Sequence, residues 1–316
     1  MTHKLLVCSA LAVSLAAPAV VVAQHLNLEG QTGGFITPTA YVVPSEKGQI
    51  LSHPAVGYHF IDASAVIGNI QTASITEGIA NRAEVGYTRS FHSLGDSQAL
   101  SGLWHFNGMN VFHAKVVALK EGTGGRLVPG LAVGGVYRTQ DRFVSGAIDQ
   151  ILHGRPKANS YDNGDIYVVA TKTWLHPPVP LLLNFGWKAT NASIYGIGGE
   201  ATRFGGRLFG GLGIPLPGPW KTAIIPSAGF AQEPPQVKNL NAILFPGTRA
   251  HIPTTLDYAV RITQREHAHF SVDLGVGQVA GQIGRVPVVI GGVLVGSAPV
   301  NLDARHVFGM GISYRP

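Results

Sequence analysis

The sequence predicts an all-β protein: a transmembrane antiparallel up-and-down β-barrel of about 12 strands, with 14 as the alternative. Three observations carry that expectation. The chain starts with a secretory leader, it repeats period-two runs about ten residues long, and the connections between those runs alternate short and long.

Composition sets the limits first. The chain has 316 residues, of which 45% are apolar and only 13% charged, and it contains 41 glycines. Soluble domains carry roughly 25% charged residues, so this surface is sparsely hydrated, and the apolar content excludes disorder. A lone cysteine, Cys8, excludes an internal disulfide and a cysteine-based zinc finger. The net charge of +6 is a mild excess that names no partner, and no nucleic-acid signature accompanies it.

The leader is the first element. Lys4 supplies a positive start, residues 5–19 are almost wholly apolar, and Val21-Val22-Ala23 places small residues at a cleavage site after Ala23. Residues 1–23 are therefore read as a signal peptide, 24–47 as a periplasmic or plug segment, and 48–316 as the barrel. Cys8 leaves with the leader. After it, no stretch reaches the ~18 to 20 uninterrupted apolar residues of a spanning helix. The nearest, Val286 to Val300, is broken by Pro287, Pro299 and glycines.

Period two then dominates. Ala83, Val85, Tyr87 and Phe91 share one face, with Arg89 its exception, while Glu84 and Thr88 take the other with Arg82. Leu181, Leu183, Phe185 and Trp187 oppose Asn184, Gly186 and Lys188; Leu256, Tyr258, Val260 and Ile262 oppose Asp257, Arg261 and Thr263. Phe270, Val272, Leu274 and Val276 oppose Ser271 and Asp273, and Phe308, Met310, Ile312 and Tyr314 oppose Gly309, Gly311 and Ser313. Strands of a soluble sandwich are shorter, about 5 to 6 residues, whereas about 9 to 11 tilted residues cross a bilayer.

Strands are expected at 48–61, 68–78, 81–92, 109–120, 127–139, 165–175, 181–192, 203–214, 220–231, 255–264, 269–279 and 304–315. Short connections fall around Ala80 and at 122–126, 176–180, 215–219 and 265–268, and long ones at 93–108, 140–164, 232–254 and 280–303. That alternation places both termini in the periplasm. Two strands are awkward: the first contains Pro54, and in the sixth a lumen-facing Lys172 would turn Trp174 inward unless the strand bulges. Within the last long connection, residues 286–295 read as a short apolar hairpin around Gly291-Gly292; counted as barrel strands, its arms would give the fourteen-stranded alternative.

Trp220 and Tyr314 are expected at the periplasmic interface, and Phe91, Tyr137 and Tyr258 at the opposite rim, where rings with polar tips settle. The lumen is expected to be lined by Arg82, Glu84, Lys115, Lys188, Asp257, Arg261 and Asp273, with Gly86, Gly186, Gly275 and Gly277 leaving it open.

Catalytic and metal chemistry is thinly represented. His267 and His269 share one side of a strand at a zinc-compatible spacing, but no third ligand is near in sequence, so they read as structural or interfacial. Ser90 and His92 point the same way and form the one local serine–histidine candidate for a lipid hydrolase, without an activating third group. No catalytic residue, metal or cofactor is expected.

The final Gly309-Met310-Gly311-Ile312-Ser313-Tyr314 resembles the signal by which bacterial outer-membrane barrels are recognised for assembly, which implies the barrel-assembly machinery as a partner. The mature chain resembles a Gram-negative outer-membrane family known only as a domain of unknown function. The resemblance is carried by Leu28-Glu29-Gly30-Gln31-Thr32-Gly33-Gly34, by residues 129–134, by Asp165 to Lys172, by Lys188-Ala189-Thr190-Asn191 and by residues 195–199. Gly33 to Ala40 is also similar to the start of barrels linked to exopolysaccharide secretion. The family implies a barrel and a location, and no reaction. The expected function is thus a narrow outer-membrane pore or export component for polar solutes, in contact with outer-membrane lipid and envelope export components. A closed structural or assembly scaffold in an envelope polysaccharide pathway is the alternative, and a lipid-modifying enzyme the third.

Overall fold

The computed structural model describes residues 25–63, 68–93, 108–140, 143–144, 158–159, 162–175, 180–196, 200–234, 251–264, 269–301 and 306–316. The leader with Cys8, and His267, lie outside the described residues.

Alternating side chains make long strands, and twelve of them form the wall: β1 (Ala55–Ala63), β2 (Gly68–Ile79), β3 (Ala83–His92), β4 (Gly108–Leu119), β5 (Gly130–Gln140), β6 (Asn163–Trp174), β7 (Leu181–Ala192), β8 (Glu200–Gly213), β9 (Thr222–Gln232), β10 (His251–Gln264), β11 (Phe270–Ile290) and β12 (His306–Tyr314). Each pairs antiparallel with its neighbours in the chain, and β12 returns to β1 in the register Val56↔Tyr314 to Asp62↔Phe308. The sheet therefore closes on itself and leaves no barrel edge. Among the described residues no helix is long and apolar enough to cross a membrane; the crossing elements are these strands.

Which face is greasy identifies the solvent. On β7, Phe185 is 55% exposed on the outside, whereas Lys188 on the inside is 6% exposed. Val85, Tyr87, Phe112, Val133, Ile166, Val168, Leu208, Val260 and Leu274 repeat the pattern around the wall. A soluble protein hides its apolar face; here that face is bare and the charged one is covered. Hydrocarbon around the ring accounts for both, and the chain is a transmembrane antiparallel barrel.

The structure departs from the expected strands at three places. β1 begins at Ala55 and not at residue 48, because Pro54 has no N–H to give the ladder; within residues 48–54 the pairing is reduced to an isolated bridge from Leu51 to Ile79. Residues 286–295 do not add a strand pair to the barrel: Val293–Asn301 pairs with the far half of β11 alone, so the wall keeps twelve strands. Nor does β6 bulge. Its register with β7 runs unbroken from Asp165 to Trp174, which leaves Lys172 on the Trp174 side of the strand. The Lys172 ammonium is neutralised 2.7 Å away by Glu121 in the β4–β5 turn, and it sits 5.9 Å over the Trp174 ring.

The interior is filled. Residues 25–45 precede the wall and run within it, almost all of them buried; Leu26, Asn27 and Thr32 are fully covered. Phe35 and Ile36 pack with Ile70, Met109, Val111, Val136, Tyr167 and Phe209 from inward positions.

Candidate functional site

Three buried ionic clusters hold this N-terminal segment. In the first, Lys115 on β4 lies 2.9 Å from Glu84 on β3, its register partner. Glu84 accepts hydrogen bonds from the Thr32 amide (3.1 Å), the Thr32 hydroxyl (2.5 Å) and the Val43 amide (3.2 Å), while Lys115 donates to the Thr32 carbonyl at 3.0 Å. One ion pair thus grips the segment at two points.

In the second, Arg138 on β5 donates Nε to Glu29 at 2.5 Å and Nη2 to Asp165 at 2.7 Å, with Nη1 on Asn163 Oδ1 at 3.3 Å. A guanidinium suits this place because its fork serves two carboxylates at once. In the third, Arg261 on β10 makes two 2.9 Å bonds to Asp273 on β11; His25 Nε2 lies 2.8 Å from the same carboxylate, and its Nδ1 is 2.8 Å from Ser271 Oγ.

Neutral bonds complete the seat. Gln31 donates to the Tyr167 hydroxyl, the Ala40 amide to Thr171 and Asn184 to the Pro38 carbonyl. The Leu26 amide donates to Ser313, and the Tyr41 hydroxyl to Glu121. Burial, together with the Glu121 carboxylate beside it, pushes the Tyr41 hydroxyl above its ordinary pKa, so it stays a donor. All these bonds from the segment end on β3–β7, β11, β12 or the β4–β5 turn. Toward β7–β10, the contact is looser. A cavity of about 50 Å³ separates the Gly33–Thr39 loop from inward residues of β7–β10, including Asn184, Ser227, Asp257 and Arg261. One of about 20 Å³ is lined by Gln31, Asp165, Lys188 and Phe209, and elsewhere an apolar one of about 80 Å³ lies between Phe35, Ile36 and Tyr195 and the strands β1, β2 and β10–β12. The two spaces with polar lining are large enough for water, whereas the apolar one offers it no partners.

Of the charged residues expected to line the lumen, Glu84, Lys115, Lys188, Asp257, Arg261 and Asp273 are buried inside the wall. Lys188 sits 5.3 Å over the Tyr195 ring. Arg82 is a correction: it belongs to the β2–β3 turn, is exposed, and points a guanidinium nitrogen to within 3.5 Å of the Val117 carbonyl. Two of the inward glycines, Gly86 and Gly186, do not hold a bore open either. A Cβ at Gly86 would strike the His113 ring, and one at Gly186 the Phe209 ring, so neighbouring side chains already use that space.

Phe91, Tyr137, Tyr258 and Tyr314 stand exposed on the outer face, and Trp220 is exposed in the β8–β9 turn. Ser90 Oγ and His92 Nε2 are 2.5 Å apart, yet Ser90 is fully buried in the interior and not set against lipid. His269 turns its Nδ1 to within 2.7 Å of the Arg315 carbonyl, and among the described residues no group of three or more His, Cys, Asp or Glu could hold a metal.

Sequence reasoning missed Arg138, although the signal was present: with Tyr137 outward, period two sends Arg138 inward. Asp165 follows in the same way from Ile166. Glu29 and His25 carried no such signal, because the segment that holds them has no period.

The architecture is that of a transmembrane barrel whose own residues 25–45 occupy its lumen. The chain belongs to the family described as "Protein of unknown function (DUF3034)", whose model matches residues 23–207. That span runs from the segment through β7 into β8 and contains the first two clusters. No curated protein matches the sequence. Among solved structures the chain is similar to the KdgM porin, at 10% identity over 83% of this chain and 99% of that one, with a TM-score of 0.44. It is also similar to the NanC porin (8% identity, 83% and 100% covered, TM-score 0.43) and to a Pseudomonas aeruginosa FadL homologue (7%, 93% and 96%, TM-score 0.38).

Proposed function

We propose that the protein is an outer-membrane barrel that works as a narrow conduit for small polar solutes, its bore set by the N-terminal segment. The observation that carries this reading is the looser packing beside one loop of the segment: polar bonds hold the segment to β3–β7, β11 and β12, while a cavity of about 50 Å³ separates its Gly33–Thr39 loop from inward residues of β7–β10. The leader expected from the sequence and the bare apolar belt support the location. The reading needs no reaction, and a hydrolase would have to bring an ester to a serine that is fully buried.

Planar-bilayer conductance tests it. The mature chain is expected to give small steps, and a variant lacking residues 25–45 larger, stable ohmic ones, both forms being checked for folding by heat-modifiable migration. A folded mature chain that gives no steps would replace the conduit with the closed scaffold. That second reading has an observation of its own in the three buried clusters, which pin the segment firmly.

A further inference from the structure

The interior changes character toward one end of the barrel. Deep in the lumen the inward positions of β1, β2 and β11 are polar, as with His59, Thr72 and Asp273. Toward the end remote from Tyr314, which the loop pattern reads as external, the inward faces of β1, β2, β11 and β12 carry Ile61, Ile70, Val279 and Val307. These side chains line the apolar cavity of about 80 Å³ against Phe35 and Ile36. A cavity so lined excludes water and takes up hydrocarbon.

The turn beside it is strained. Ile194 and Tyr195, in the β7–β8 connection, also line the cavity, and both stand at positive φ, 46° and 53°. Left-handed backbone is unfavourable for a residue with a side chain, most of all a β-branched one, and such strain gathers at ligand clamps. The Glu233 carboxylate accepts the Ile194 amide at 2.7 Å and holds the turn in this conformation.

Size and access define the occupant. A volume of about 80 Å³ is roughly half the ~150 Å³ that takes in a benzene ring, so the space suits the end of a straight hydrocarbon chain. Bilayer lipid has no way through the wall. β1 is paired with β2 as far as Ala63↔Gly68 and with β12 as far as Asp62↔Phe308, and β10 with β11 beyond Thr255↔Val279. The chain must therefore arrive from the aqueous side, carried by a polar head.

We propose that this cavity binds the tail end of a water-soluble, single-chain amphiphile, clamped between Phe35 and the Ile194–Tyr195 turn. The binding stands apart from the conduit reading, because it requires no conduction.

Photolabelling of the mature protein in proteoliposomes tests it, with decanoate bearing a diazirine at its chain end as the probe and mass spectrometry locating the label. Label on Ile61, Tyr195 and Val279 should saturate. Plain decanoate should displace it, whereas adamantane carboxylate, with the same head on a bulky cage, should not. Label on outer-face residues such as Phe185 should rise without saturation and serves as the background. Gly277 offers a way to fill the cavity: a Cβ there meets nothing closer than 3.8 Å, so Gly277→Leu reaches into the space without a collision at its base. Gly277→Leu and, from β12, Val307→Trp should lose the saturable label, each being read where heat-modifiable migration shows a folded barrel. A wild type labelled only as background would overturn the site whether or not the barrel conducts. Displacement by the cage as readily as by the chain, or saturable label surviving in a folded, filled variant, would overturn it as well.

Discussion

Glu84 and Lys115 carry opposite charges where solvent does not reach, and each also bonds the N-terminal segment. Removing one partner of such a pair leaves the other uncompensated, which costs about 3 to 5 kcal/mol, whereas removing both together costs much less. Lys115→Met should thus destabilise the barrel by about that amount and Glu84→Gln/Lys115→Met by less, as read from denaturant-induced unfolding in detergent. Glu233, just past β9, behaves differently. Burial pushes its carboxyl above the ordinary value, with Lys188 and bonds from the Ile194 amide and the Thr255 hydroxyl opposing that in part. Between the ordinary and the raised value the folded state holds a proton that the unfolded chain has lost, so stability falls as pH rises through that window. Glu233→Gln should flatten that slope in a pH series of unfolding temperatures; an unchanged slope would assign it elsewhere. At this scale the sequence was legible wherever a residue sat on a periodic strand, as with Lys188 or Asp273. It was illegible at His25 and Glu29, whose partners are more than a hundred residues away.

Among the elements, the N-terminal segment is the one whose position decides the most. A Cβ at Gly130 on β5 would stand 3.6 Å from Ala40 Cβ, within reach of the ~3.5 to 4.5 Å that a disulfide spans. Since the mature chain would be free of cysteine, Ala40→Cys/Gly130→Cys should cross-link under oxidation in the folded protein, visible as a non-reducing mobility shift. Failure to cross-link would place the segment elsewhere. The hairpin beyond the barrel makes the opposite case. β11 pairs with β12 only through Phe270 to Gln278, while Ile290, Val293 and Val295 at the tip lie exposed around Gly291 and Gly292, both at positive φ. Deleting residues 285–299 should therefore leave a heat-modifiable barrel. Strands such as β7 were legible because both their faces obey one period. The start of β1 was misplaced because alternation continues through Pro54, while the pairing upstream of it shrinks to the single Leu51–Ile79 bridge. The segment's path was illegible because it follows individual bonds such as Ala40 to Thr171.

The whole molecule is organised inside out: charge is enclosed and grease exposed, in a closed ring that has no edge to shield. An arginine placed on the outer face near mid-bilayer should cost about 2 to 4 kcal/mol, so Phe185→Arg should slow or prevent insertion into liposomes far more than a change in a loop. The measurement that tests the arrangement most directly is a spin-label scan of residues 181–188 in proteoliposomes, comparing accessibility to oxygen with accessibility to a water-soluble nickel complex. Labels at 183, 185 and 187 should be open to oxygen and closed to nickel, and labels at 182, 184 and 186 shielded from oxygen by the occupied lumen. Accessibility without a period of two, or with the outer positions open to nickel, would contradict a barrel set in lipid.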